Sequence, residues 1–144
     1  MLSSRFAVAV HILAVQALHR DRALTSQFIA GSVNTNPVVV RRILGRLRQA
    51  GLVRLKSGPK GGSELVKPPS RIRLAEVYKA VEPGELFALH RSKPNPQCPV
   101  GRCIQDVLSS VFTDAEEAFG KALGETSLAD VARDVERRGD RARH

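Results

Sequence analysis

Apolar residues recur at three- and four-residue intervals in six stretches of the chain and alternate with polar ones in another, which predicts six helices and a β-hairpin. The first helix is expected over about Arg5 to His19, with Ser3 or Ser4 as cap and Phe6, Val10, Leu13, Ala14, Ala17 and Leu18 as its buried positions. It is apolar nearly all round, so it belongs at the centre of the fold. A short helix follows, capped by Thr25 or Ser26, with Phe28, Ile29 and Val33 inward and Asn34-Thr35-Asn36 at its end. Asn36-Pro37 then starts a helix of about 14 residues, because Asn can accept an orphan backbone N–H and Pro fits the first helical position. Gly51 stops it.

Two helices joined by a tight turn outline a helix-turn-helix. Directly after it, Leu52 to Lys56 and Ser63 to Lys67 flank the turn Gly58-Pro59-Lys60-Gly61-Gly62. That is a hairpin in the position of a wing. The glycines Gly61 and Gly62 are read as allowing close backbone approach. Past Pro68-Pro69, Leu74, Val77, Tyr78 and Val81 mark another helix that ends before Pro83-Gly84. Residues 84–98 form a loop, and Cys98-Pro99 opens the longest helix, to about Leu123.

Along that helix Val100, Ile104, Val107, Leu108, Val111, Phe112, Ala115, Phe119 and Leu123 make an apolar stripe too broad for local cover. The same helix from a second chain is the simplest cover. A last helix begins at Ser127, which forms an approximate capping box with Asp130, and residues 139–144 are expected to be a disordered tail. The expected fold class is mostly α with a small β-hairpin: a winged helix-turn-helix domain (1–83), a loop (84–98), and a dimerisation helix plus closing helix (99–138).

Charge singles out one part of this outline. Residues 1–75 carry 13 Lys or Arg against two acids, Asp21 and Glu64, while residues 76–144 carry ten bases against twelve acids. No acid at all lies between Arg22 and Ser63. Spaced by about 100° per residue, Val40, Ile43, Leu44 and Leu47 fall on one side of the Pro37–Ala50 helix. Val38, Arg42, Gly45, Arg46 and Gln49 fall on the other, with Arg41 and Arg48 at the flanks.

Guanidinium, amide and methyl groups on a rigidly held helix match the donors, acceptors and thymine methyl of the DNA major groove. Unpaired arginines can neutralise phosphate and release counterions. The candidate DNA-binding residues are Ser26, Thr35, Asn36, Val38, Arg41, Arg42, Arg46, Lys60 and Gly61, with Arg46 and Lys60 assigned to phosphate. A solvated basic face is the plain alternative for any single arginine. A winged helix that binds RNA or a protein is the alternative for the whole segment.

Other chemistry finds less support. The first 21 residues faintly imitate a secretory signal, but His11 and Gln16 interrupt the apolar run, which is too short to span a membrane. A cytoplasmic protein is expected. No nucleophile elbow, P-loop or zinc-protease motif occurs, so an enzyme is not expected. His11, His19 and His90 lack partners at metal-ligand spacing. Cys98 and Cys103 are too few for a disulfide framework. Cys98, at a helix N-terminus, is either a reactive thiolate or a small buried cap residue, and a helical bridge to Cys103 is geometrically poor.

The run "TSQFIAGSVNTNPVVVRRILGRLRQAGLV", followed by "GPKGGSELVKPPSRIRLAEVYKAVE", "PNPQCPVG" and "LADV", resembles the Rrf2 family of bacterial winged-helix transcription regulators. The resemblance spans nearly the whole chain. It implies a homodimer joined through helix 99–123, a partly palindromic double-stranded DNA operator and, usually, repression. Several members of that family hold an iron–sulfur cluster on three closely spaced cysteines, sometimes with an acidic ligand just after an N-terminal aromatic residue. Here there are two cysteines, and Ala7 and Val8 follow Phe6. The chain is therefore similar to the cluster-free branch, in which "CPVG" precedes the long helix, and neither cofactor nor metal is expected. A redox sensor using Cys98 and Cys103, or a cluster on an atypical ligand set, is the remaining alternative.

Overall fold

A computed structural model describes residues 3–143; Met1, Leu2 and His144, which the expected domain and tail ranges include, lie outside them. The elements in order are α1 (Arg5–Ala17), α2 (Ser26–Val33), α3 (Pro37–Gln49), β1 (Val53–Lys56), β2 (Gly62–Leu65), a 3-10 turn (Pro69–Arg71), α4 (Leu74–Val81), α5 (Pro99–Gly124) and α6 (Leu128–Arg143). This is the winged helix-turn-helix with a long C-terminal helix that the apolar pattern predicts.

α1 is the hub, packed against α2, α3, α4, α6 and β2. Its buried side chains are Ala9, Ile12, Leu13, Ala14 and Gln16, whereas Phe6, Val10 and Ala17 are half-buried and Leu18 is exposed. The expected stripe was thus turned by part of a helical face. A helix covered from several sides offers no single amphipathic direction, so periodicity alone cannot orient it. Gln16 sits in this core and donates from Nε2 to Ser63 Oγ at 2.7 Å, tying the hub helix to the wing. In α2 the buried pair is Ile29 and Ala30. Phe28 is exposed instead, held edge-on to His19 and covered by the Arg22 guanidinium.

The wing pairs β1 with β2 in antiparallel register, Val53 opposite Leu65 and Arg54 opposite Glu64. Leu24 adds a one-residue third strand: its N–H donates to Ser63 O at 2.9 Å and its carbonyl accepts from Ser63 N–H at 2.8 Å. This contact explains the wing glycines differently from the sequence reading. A Cβ at Gly62 would lie 2.3 Å from Leu24 O, and one at Gly61 2.4 Å from Lys56 O. The close approach they permit is to their own chain.

α5 packs chiefly on α4. Phe119 meets Tyr78 edge-on, with ring centroids 5.0 Å apart, and Phe112 stacks on Phe87 from the loop. None of its 26 residues is buried. Val100, Val107 and Val111 keep 65%, 56% and 54% of their surface exposed, on a face that no other described element covers. α6 starts at the expected capping box, with Ser127 N–H donating to Asp130 Oδ2 (2.9 Å) and Asp130 N–H to Ser127 Oγ (3.1 Å). The helix then runs through residues 139–143, where a disordered tail was expected. Ion pairs Arg133–Asp130 and Arg137–Asp134 support it at i, i+3 spacing, and Arg141 and Arg143 complement the negative end of its dipole.

Candidate nucleic-acid interface

The two helices of the helix-turn-helix are locked by caps at both ends. Thr25 accepts from Phe28 N–H at the start of α2, and Asn34 ends it in the left-handed region, φ +63°, with Thr35 N–H donating back to Ala30 O. Asn36 Oδ1 accepts from Val38 N–H at 2.8 Å to start α3. At the other end Gly51, φ +77°, donates to Arg48 O while Leu52 N–H donates to Leu47 O, which closes the helix with a Schellman motif. Val40, Ile43, Leu44 and Leu47 are buried beneath it. What faces outward is therefore fixed by the core.

That outward face carries Val38, Arg41, Arg42, Gly45, Arg48 and Gln49, all exposed. Arg41, Arg42 and Arg48 take part in none of the described ion pairs, whereas the bases of β1 do: Arg54 and Lys56 both reach Glu64, at 2.8 and 3.4 Å. The contrast is physical. Arg54 and Lys56 share one carboxylate within the chain, whereas Arg41, Arg42 and Arg48 enter no described ion pair. Gly45 lies in the middle of this face with open space where a Cβ would stand.

Of the other residues singled out from the sequence, Lys60 is exposed at the wing tip, Gly61 is half-buried beside it, and Ser26 and Thr35 are half-buried in the first turn of α2 and the turn before α3. Arg46, which the sequence assigns to phosphate, is half-buried, and its Nη1 donates to Val81 O at 3.1 Å. The last carbonyls of α4 have no intrahelical donor, and the guanidinium turns back to satisfy one of them. Arg22 is not among the residues singled out from the sequence. It lies with Thr25, Phe28 and Lys60 around a cleft of about 430 Å³ between the start of α2 and the wing tip. It stands at the head of the acid-free interval.

Comparison with known proteins agrees with this geometry. Residues 2–134 match the sequence profile of the family described as Rrf2, iron-dependent transcriptional regulator. The chain belongs to the Rrf2 family. A relative in Bacillus subtilis (strain 168), YwnA, named as a candidate HTH-type transcriptional regulator, is 46% identical over 132 residues, 91% of this chain and 96% of its own length. A solved structure described as a candidate DNA binding protein shares 41% identity and a TM-score of 0.70 over 89% of this chain and 98% of that one. Another, a candidate transcriptional regulator from Lactobacillus plantarum, shares 27% identity and a TM-score of 0.80 over 99% and 97%. This Rrf2 chain is accordingly a helix-turn-helix transcriptional regulator, and none of its described helices is long and apolar enough to cross a membrane.

The family description implies iron, and the donor set does not fit an iron–sulfur cluster. Such clusters are held by three or four thiolate or imidazole ligands, and the chain has two cysteines and four histidines, His11, His19, His90 and His144. Both cysteines are exposed, and they lie five residues apart at the start of α5, about 140° round the helix. Among the described residues no three His, Cys, Asp or Glu side chains converge. The sequence leaves Cys98 open between a reactive thiolate and a buried cap residue, and in the single chain its side chain is exposed. Cys98 is the N-cap of α5, and the backbone N–H groups of Gly101 and Val100 hold its thiol below the ordinary pKa of 9.0. Gly101 is needed there because a Cβ would stand 2.4 Å from Asn95 O.

Proposed function

We propose that this regulator is a homodimeric, sequence-specific DNA-binding repressor that works without a bound cluster. The observation that carries the reading is the set of unpaired, exposed arginines on a helix whose opposite face is fully buried. Arg41 and Arg42, near the α3 N-terminus, are the base-reading candidates, together with Val38 and the amide of Gln49; Lys60 and Arg22 fit phosphate on either side of the wing. The uncovered face of α5 supports dimerisation. Two α3 helices related by a twofold axis would then enter successive major grooves roughly 34 Å apart.

The test is selection of genomic fragments by the purified protein, followed by titration of a selected site. Replacing Arg41 or Arg42 by Ala is expected to weaken that site by about 1 to 3 kcal/mol and to relax preference at one position. A residue that meets phosphate instead weakens all sequences alike and flattens the salt dependence by about one unit of slope. No preference for any duplex over bulk competitor would reject the reading. Exposure of Cys98 supports a thiol-responsive form of the same repressor, tested by repeating the titration after oxidation.

A further inference from the structure

The joint between α4 and α5 encloses a cleft of about 350 Å³. Its wall is aromatic and aliphatic: Tyr78 and Phe119, in edge-on contact, with Leu123 beside them. Three carboxylates, Glu82, Glu85 and Glu116, line it against one ammonium, Lys79. Glu82 shares one oxygen with Arg5 at 3.1 Å, while its other oxygen is buried without a partner. Glu85 and Glu116 enter none of the described ion pairs.

Apolar walls with an excess of negative charge select against anions and suit a ligand that is both greasy and cationic. Carboxylates attract the charge, and ring faces attract it further where water is thin. We infer that this cleft is a binding site for small organic cations, alkyl- or arylammonium compounds with a short apolar body. Its place gives it a consequence. α4 is the part of the DNA-binding body on which α5 chiefly rests, so an occupant wedged between them alters the angle of that body on the dimer helix. This consequence rests on the DNA-binding reading above; occupancy of the cleft does not.

The chain has one tyrosine and no tryptophan, so tyrosine emission reports on the cleft itself. Full-length protein, without DNA, is titrated with hexyltrimethylammonium and, separately, with hexanoate, which has a similar tail and the opposite charge. A saturable change with the ammonium, at least about tenfold tighter than with hexanoate, is expected from the charge of the rim. E85Q and E116Q should each weaken the ammonium by about threefold or more and leave hexanoate no weaker. Gly120 lines the cleft with open space at its Cβ, so G120L should fill it and abolish binding while the fold survives. Equal affinity for both tails, no saturation with the ammonium, or unchanged binding in G120L would overturn the site. Because the titration contains no DNA, it can fail while operator binding stands, and the reverse.

Discussion

Replacing Val107 and Val111 together by Lys should separate the two chains of the proposed dimer while leaving each chain folded. Both side chains are more than half exposed in the single chain, at 56% and 54%, so neither contributes much to its core. Burying a valine fully is worth about 1.5 kcal/mol, so covering the exposed half contributes roughly 0.7 kcal/mol per side chain. Four such side chains meet across a twofold axis, which puts the lost contribution at about 3 kcal/mol, or about a 100-fold weaker association constant. Desolvating four ammonium groups and bringing like charges together add to the loss in the same direction. Analytical ultracentrifugation across a concentration series reads the constant, and unchanged far-UV ellipticity separates dissociation from unfolding. V107K/V111K that stays dimeric within about threefold of the parent, against the 100-fold expected, would refute the argument that this face is open because a second chain covers it.

Two glycines should respond in opposite senses. G62A places a Cβ against Leu24 O at a φ of +146° and is expected to lower stability by about 1 to 3 kcal/mol in urea denaturation, whereas G45A, in open helix, should raise it by up to about 1 kcal/mol. R46A removes the donor to Val81 O, so it should cost about 1 kcal/mol of stability and leave the salt slope of DNA binding unchanged; a slope lower by one unit would return Arg46 to the phosphate contacts. Cys98 should alkylate faster at neutral pH than an unstructured thiol, and C98S, but not C103S, should remove that phase in a mass-spectrometric time course. Asp130, held below its ordinary 3.8 chiefly by Ser127 N–H, and Glu64, held below 4.5 chiefly by Arg54, stabilise the folded state fully above those unfolded values. That contribution disappears as pH falls through the lower folded values, so the urea midpoint should drop below about pH 5, less steeply in D130N and E64Q.

The elements were legible where punctuation was strong. Asn36-Pro37, Gly51, Pro83-Gly84 and Ser127-x-x-Asp130 each carry a capping or breaking chemistry that depends on a few neighbours, and the observed helix ends fall there. Burial was less legible. Leu18 and Phe28 are apolar residues at helical spacing, yet both are exposed, because α1 is enclosed from several sides and Phe28 is held by His19 and Arg22 at the surface. Residues whose role depends on distant segments escaped altogether. The bridge from Leu24 to Ser63 and the bond from Arg46 to Val81 span 39 and 35 positions, and no local pattern announces either. The unpaired arginines could be foreseen, since Arg22 to Ser63 holds no acid; that Glu64 just beyond would claim Arg54 and Lys56 followed only from the strand register.

The bond between Arg46 and Val81 also bears on how the two halves of the molecule can influence each other. It joins α3 to the last turn of α4, one residue before Glu82, which in turn holds Arg5 at the start of α1. The α4–α5 cleft opens directly beside this point, with Glu82 among its walls. On the proposed reading, a displacement of α4 at the cleft would reach α3 through one hydrogen bond and a packed interface, with no rearrangement of the core beneath α3. Since Val40, Ile43, Leu44 and Leu47 stay buried, α3 would move with its domain as a rigid piece. Control by this route would act on the spacing of two intact recognition surfaces, and each surface would keep its preference for bases whether the joint is open or filled.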